Sequence, residues 1–212
     1  MSCQVRFPSV PRPYRMTARA EAAEGNRRKV IEAARAAILD GPAPRFSMGD
    51  VAARAGVARS TLYDQYGSHA GLIGAVMVDA GLRGGFERVL ELFNLPDAAE
   101  AMRRALHEGA RMIGSGYELE RRIRILAELD PQVMEGQARA GEYRAGGMRY
   151  QAGRLADQGK LRPGVSPEQA AMVLYVLTDF ATFETLHSTW GMDAEQIGDF
   201  MVSMANRYLL RD

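Results

Sequence analysis

The sequence predicts an all-α fold of about nine helices, in which an N-terminal three-helix domain holding a helix-turn-helix precedes a larger helical domain. Three observations predict it. Apolar residues recur with the period of a half-buried helix, about 3.6 residues, in segment after segment. Pro96, Pro131, Pro163 and Pro167 stand between those segments, where proline ends a helix without kinking it. No segment alternates apolar and polar residues for long enough to make a half-buried strand. The 212 residues, 47% hydrophobic and 25% charged, suit one large domain or two small ones sharing a core.

Residues 1–25 mix proline and arginine with isolated apolar side chains and are expected to form a flexible arm. Its Arg6, Arg12, Arg15 and Arg19 either lie along a polyanion or belong to an untethered tail, and Met16 is an alternative start. From Asn26, a candidate cap, Val30, Ile31, Ala34, Ala37 and Ile38 share one helical face until Gly41 and Pro42 stop it. Arg27, Arg28 and Lys29 occupy that helix's first turn. Ser47 reads as the next N-cap, with Asp50 as the acidic member of a capping box, and Met48, Val51, Ala52 and Ala55 form an apolar face behind it. Gly56 ends this short helix, because a residue without Cβ enters the left-handed conformation freely. A third helix covers 59–66 and stops at Gly67. Two short helices joined by a tight glycine turn make a helix-turn-helix, which places the first domain at residues 26–72. Further helices are expected over 71–93, 97–113, 118–129, 131–158, 167–190 and 193–210, within a second domain at 73–212.

The formal charge of +1 conceals an asymmetry. Residues 1–72 carry 11 Lys and Arg against 6 Asp and Glu, whereas the remainder carries 16 against 20. A basic first third on an acidic remainder points to one part that meets a polyanion and one that does not.

The segment 46–72, FSMGDVAARAGVARSTLYDQYGSHAGL, resembles the DNA-binding domain of the TetR family of transcriptional regulators. The family pattern runs from a Thr and a hydrophobic residue through Asp-Ile-Ala, Ala-Gly-Val-Ser and Thr-Leu-Tyr-x-x-Phe to a Ser-Lys-Glu-x-Leu close. Here AGV, TLY and a final S-x-x-x-L stand at those spacings, and the match extends from residue 27 to about 80. Residues 159–163, GKLRP, resemble the turn before the last two helices of many members. The resemblance implies a homodimer that grips duplex DNA through its second helix-turn-helix helix and responds to a small molecule held in the helical body.

In a helix-turn-helix the second helix enters the major groove with its first residues nearest the bases, and Arg59 and Ser60 hold that place. Arginine there donates two parallel hydrogen bonds to guanine, or else touches phosphate only. Gln65, on a later turn, reads adenine or a phosphate. Thr61 and Tyr63 match family positions that bond phosphates, although Tyr63 also suits a half-buried packing site. Arg27, Ser47, Met48, Tyr66 and His69 complete the expected DNA-binding set, with the end of the second helix aimed at the backbone. His69 stands where the family has lysine and Ala70 where it has glutamate, which predicts a weaker or pH-dependent phosphate contact. Tyr66 replaces the common Phe, a change without cost if its hydroxyl reaches solvent.

The segments at 167–190 and 193–210 are apolar on more than one face. A terminal helix pair has one side to bury in its own domain, so the surplus needs a second surface, most simply the same pair from another copy. Leu174, Leu177, Ala181, Thr185, Met201, Met204 and Tyr208 are the expected interface. Such a dimer would read a palindrome with half-sites about 34 to 36 Å apart. For the effector, His107, Met112, Tyr117, Met134, Tyr150, Asp179 and Phe183 are the expected pocket, and 12 methionines with 22 glycines would give it adaptable walls. Asp179 leads this set, since a carboxylate among apolar residues needs a ligand cation, an arginine or a hydroxyl of the other subunit.

No catalysis is expected, because the chain has no glycine-rich phosphate loop, nucleophile elbow or metal-ligand spacing. Its three histidines, His69, His107 and His187, stand far apart, and lone Cys3 has no disulfide partner within the chain. Neither metal nor cofactor is called for. No apolar run reaches the roughly 18 to 20 residues of a membrane helix, and no secretion signal opens the chain, so the cytoplasm, at the nucleoid, is the expected location. The function expected is sequence-specific transcriptional regulation by a repressor released from a palindromic operator by a small molecule. The alternative is a helical protein-interaction module whose helix-turn-helix no longer binds DNA.

Overall fold

The computed structural model describes residues 14–40 and 46–211. Among the described residues ten helices follow one another: α1 (Tyr14–Leu39), α2 (Met48–Ala55), α3 (Arg59–Tyr66), α4 (His69–Gly84), α5 (Phe86–Phe93), α6 (Ala98–Leu129), α7 (Pro131–Asp157), α8 (Pro167–Leu177), α9 (Phe180–Ser188) and α10 (Ala194–Leu209). Strand pairing among the described residues is limited to an isolated bridge between Leu161 and Leu210. The all-α expectation holds.

The arm expected at residues 1–25 is corrected in its second half. Helix α1 begins at Tyr14, and Asn26, expected to cap it, lies inside it. Residues 15–24, RMTARAEAAE, are rich in Ala, Arg and Glu, and that propensity carries a helix where no apolar face marks one. Residues 1–13 and the stop at Gly41 and Pro42 lie outside the described residues.

Two apolar cores organise the chain. The first gathers Val30, Ile31, Ala34 and Ile38 of α1, Met48 and Val51 of α2, Leu62 of α3, and Leu72, Ile73 and Val76 of α4. It also takes in Leu119 and Ile123 of α6 and Val133 of α7, so the domain boundary expected at residue 72 is corrected. Helix α4 cannot be divided there, because Ile73 and Val76 continue the buried face that Leu72 begins. The second core joins Met102 and Leu106 of α6, Leu155 of α7, Leu174 of α8, Phe183 of α9, and Ile197 and Met201 of α10. With 32 residues, about 48 Å of helix, α6 serves both cores.

Three expected boundaries move for identifiable reasons. The helix expected at 71–93 divides at Gly85, where φ is 102° and a Cβ would lie 2.8 Å from Oε1 of buried Glu108. Glu108 is also bound by Arg88 of α5, whose Nε donates to it at 2.9 Å. The helices expected at 97–113 and 118–129 are one. Gly114 lets Ala194 and Phe183 close on α6, and the Ser115 hydroxyl donates to the Met112 carbonyl at 2.8 Å, so these small residues pack a continuous helix and do not end it. The helix expected at 167–190 breaks at Thr178, after which Asp179 caps α9 by accepting from the Ala181 N–H at 2.9 Å. Among the described residues, no helix is long and apolar enough to cross a membrane, and no group of three or more His, Cys, Asp or Glu could hold a metal ion.

Candidate DNA interface and effector cavity

Gly56 (φ 67°, ψ 35°) closes α2 in the left-handed conformation, and the Val57 N–H then donates to the Ala52 carbonyl at 3.1 Å. That turn aims α3 outward. Leu62, fully buried, anchors α3, while Arg59, Ser60, Tyr63 and Gln65 are exposed and Thr61 is half-buried. Ala58 occupies the N-cap position of α3 and offers no side-chain oxygen, so no side chain caps the first N–H groups of the helix, although the Thr61 N–H donates to the Ala58 carbonyl at 3.1 Å. Arg59 is not isolated: its Nη2 donates to the Tyr63 hydroxyl at 3.2 Å, and its guanidinium lies 5.5 Å from that ring's centre. Arg27, Arg28 and Lys29 are exposed on α1.

The capping box expected at Ser47 and Asp50 does not form. Ser47 has extended cap geometry without a side-chain hydrogen bond, and Asp50 accepts from Arg54 Nε at 3.0 Å, four residues on along the same helix. Arg54 also reaches Asp40 beyond the end of α1. Ser47 is exposed, and its hydroxyl makes no capping hydrogen bond to α2. Met48, expected on the DNA side, is 4% exposed and belongs to the first core, because it begins the buried face of α2.

Two further expected contacts are corrected. His69 Nε2 lies 2.5 Å from Asp130 Oδ2, so the imidazole is engaged by a carboxylate of its own chain. Asp130 is itself the N-cap of α7, accepting from the Gln132 N–H at 2.9 Å, and the His69 contact first, then these N–H groups, hold its carboxyl below the ordinary value. The pair ties the start of α4 to the start of α7. Tyr66 has its hydroxyl buried without a hydrogen-bond partner among the described residues, so the replacement of Phe is not free. Burial pushes its pKa up.

A cavity of about 610 Å³ lies between α4, α6, α7 and the α8–α9 junction. That volume is in the range of small-molecule sites, roughly 300 to 1,000 Å³. Met77 and Gly81 of α4, Met112, Ile113 and Ile123 of α6, and Phe180 of α9 supply apolar wall; Glu120, Arg124, Gln137, Arg144, Tyr175, Thr178 and Asp179 supply polar groups. Asp179 finds the arginine its burial demanded: Arg144 Nη2 donates to it at 2.6 Å, while Arg144 Nη1 donates to the Tyr175 carbonyl at 2.6 Å and the Thr178 hydroxyl at 3.2 Å. Glu120 accepts from Arg124 Nε at 3.0 Å. Burial pushes the Glu120 carboxyl up, against the pull of Arg124 and Gln137 and with the added repulsion of Asp179.

Of the seven expected pocket residues, Met112 and Asp179 line this cavity. Tyr117 stacks on Phe180 at 5.6 Å without lining it. The rest are corrected. Phe183 is buried in the second core. His107 faces α10, 3.2 Å from Asp199 and packed against Gly198. Met134 and Tyr150 are exposed at the surface away from the cavity. Glu120 and Arg124 are legible as a helical pair four residues apart, but the approach of Arg144 from α7 depends on how the helices pack.

The expected dimer surface is also partly corrected, since Leu174, Leu177 and Met201 are buried in their own protomer's core. Ala181, Thr185 and Tyr208 are exposed and Met204 is half-buried. The exposed apolar face of α8 is Met172 and Val176, and on α10 it is Phe200 and Tyr208. Residues two apart on a helix point about 200° away from each other, so Leu174 goes inward as Met172 and Val176 go outward.

Comparison with known proteins agrees with this geometry. Residues 30–76 match the family model of bacterial regulatory proteins, tetR family. No curated protein sequence matches the chain. Among solved structures, NalD, the secondary repressor of the MexAB-OprM multidrug efflux pump in Pseudomonas aeruginosa, superimposes with a TM-score of 0.71 at 20% identity, over 91% of this chain and 99% of NalD. SmeT, the repressor of the Stenotrophomonas maltophilia multidrug efflux pump SmeDEF, gives 0.68 at 19% identity over 88% of this chain and 91% of its own. SmeT in complex with triclosan gives 0.71 at 17% identity over 89% and 93%. At such identities the likeness is one of fold. Residues 30–76, with their glycine turn and outward α3, therefore match the tetR family of bacterial regulatory proteins, and the chain as a whole has the fold of NalD and SmeT.

Proposed function

We propose that the chain is a transcriptional repressor that binds a palindromic operator as a homodimer and leaves it when a small molecule fills the cavity. The observation that carries this is α3, a helix rooted by Leu62 whose outward face holds Arg59, Ser60, Tyr63 and Gln65 and whose first N–H groups have no side-chain cap. Such a helix suits a major groove, with Arg59 and Gln65 reading bases and Thr61, Tyr63 and Ser47 gripping phosphate. The repressors NalD and SmeT share the fold, and SmeT has been seen with a small molecule, which supports the same economy here.

Helix α4 is the mechanical link. Its first residue pairs with Asp130, its middle is sealed into the first core, and Met77, Ala80 and Gly81 wall the cavity. A ligand that pushes these walls shifts the helix-turn-helix of each subunit, and spoiling the spacing of two recognition helices needs only about 1 to 3 kcal/mol of coupling. The exposed face of Met172, Val176, Phe200 and Tyr208 supplies the contact between copies. The deciding experiment is selection of bound duplexes from random DNA, followed by fluorescence anisotropy of the winner against salt. A nanomolar palindrome whose affinity falls steeply with log salt is expected. Indifference to duplex at low ionic strength would leave a protein-interaction module in its place.

A further inference from the structure

We propose that the cavity selects organic cations, seated on the Phe180 ring and against the Glu120 carboxylate in the place the Arg124 guanidinium now holds. The inference rests on the reading of this cavity as the effector site. The Arg124 guanidinium lies 4.8 Å from the Phe180 ring centre while its Nε donates to Glu120 at 3.0 Å. An aromatic face beside a carboxylate is the pair of groups that recognises a cation, and here one of the chain's own side chains fills it. Arg124 is 40% exposed on a flexible stem and held by a pair four residues away on its own helix, a bond of modest worth, so it can swing aside for a ligand.

Arg144 is not free to receive an anion. Its guanidinium lies 3.7 Å from the Tyr175 ring centre and bonds Asp179, Thr178 and the Tyr175 carbonyl, which pins the break between α8 and α9. The charged groups lining the cavity are Glu120, Glu142 and Asp179 against Arg124 and Arg144, so acid exceeds base. Once Arg124 withdraws, the imbalance grows. Glu120 is already under-compensated, as the upward shift of its pKa by burial indicates, and it gains from any positive group that comes to it. An anion would have Arg124 alone to meet it, among three carboxylates.

Calorimetric titration of the full chain with tetraphenylphosphonium and with tetraphenylborate tests the sign of the selectivity, because the two ions share shape and apolar surface and differ in charge. The phosphonium is expected to bind about tenfold or more tightly than the borate, and Glu120→Gln to cost it about tenfold while leaving the borate no weaker. Arg124→Met is expected to tighten the phosphonium, since the internal competitor is gone. Equal or tighter borate binding overturns the proposal, as does binding of neither ion, or loss of phosphonium binding by an Arg124→Met chain that keeps its helical circular dichroism. If that variant loses its helical spectrum, the near-isosteric Glu120→Gln chain decides. Phosphonium binding that leaves the anisotropy of a selected duplex unchanged would uphold the ligand class and overturn the effector reading.

Discussion

Arg59 and Tyr63 act as one unit, since the guanidinium donates to the phenol one turn away. Arg59→Ala is expected to relax preference at one base position by roughly 1 to 3 kcal/mol, whereas Tyr63→Phe should weaken all duplexes alike. Anisotropy over operators changed one base at a time checks this, and the reverse pattern would refute the roles assigned to the two. Because the side chains touch, the double variant should differ from the sum of the singles. Tyr66 carries a different consequence. Its hydroxyl is buried with no partner among the described residues, so Tyr66→Phe should leave stability unchanged or raise it by about 1 kcal/mol, read from urea unfolding. A loss of more than about 1 kcal/mol would show that the hydroxyl has a partner, such as an ordered water. Arg59 and Tyr63 were legible from their place in the motif. The buried hydroxyl was not, because only the packing of the first core decides what lies over it.

At the scale of elements, helix ends carry the information. Asp97 begins α6 by accepting from the Ala99 and Glu100 N–H groups at 2.8 and 3.0 Å, and Lys160 lies 2.9 Å from its other oxygen. The Glu100 N–H, then the Lys160 ammonium, lower its pKa from an ordinary 3.8 to about 2. A carboxylate held below its unfolded pKa stabilises the folded chain fully above that value, and the contribution disappears as pH falls through the folded one. Asp97→Asn keeps a good cap and removes the charge. The variant should therefore be less stable than the parent at neutral pH, with the gap closing as pH falls from 3.8 towards about 2. Denaturant midpoints at both ends of that window measure it, and a gap independent of pH would remove the charge from the account. Boundaries in the middle of the chain were less legible. The stretch 114–116 reads as a break, yet the helix runs through it with Gly114 as a packing seam, whereas Gly85 reads as helix interior and proves to be a corner. A glycine's role follows from the neighbour that approaches it.

For the whole molecule, the proposed function requires one surface to hold two copies at the pitch of DNA. Val176 is 60% exposed on α8, an apolar residue whose burial only a second surface can provide. Val176→Asp is expected to shift the chain towards a monomer in analytical ultracentrifugation and to lower operator affinity at least about tenfold, with the helical spectrum retained. A dimer that survives this change and Phe200→Asp would move the interface elsewhere. Helix α6 then matters as the beam between the two cores, since Leu119 and Ile123 belong to the first and Met102 and Leu106 to the second. The cavity lies against the middle of that beam, between the residues that enter the two cores.

The sequence by itself determined the helical class, the spacing of the helix-turn-helix and the outward residues of α3. All of these rest on contacts within a few residues: a periodic apolar face, a glycine turn and an anchored Leu62. The tertiary structure alone decided which apolar face turns inward and which groups meet in the cavity. Periodicity shows that a helix has a side to bury but not what lies against it, so Met48, Leu174, Leu177 and Met201 went to the core. Arg144 met Asp179 across 35 residues of chain, a distance no local pattern spans.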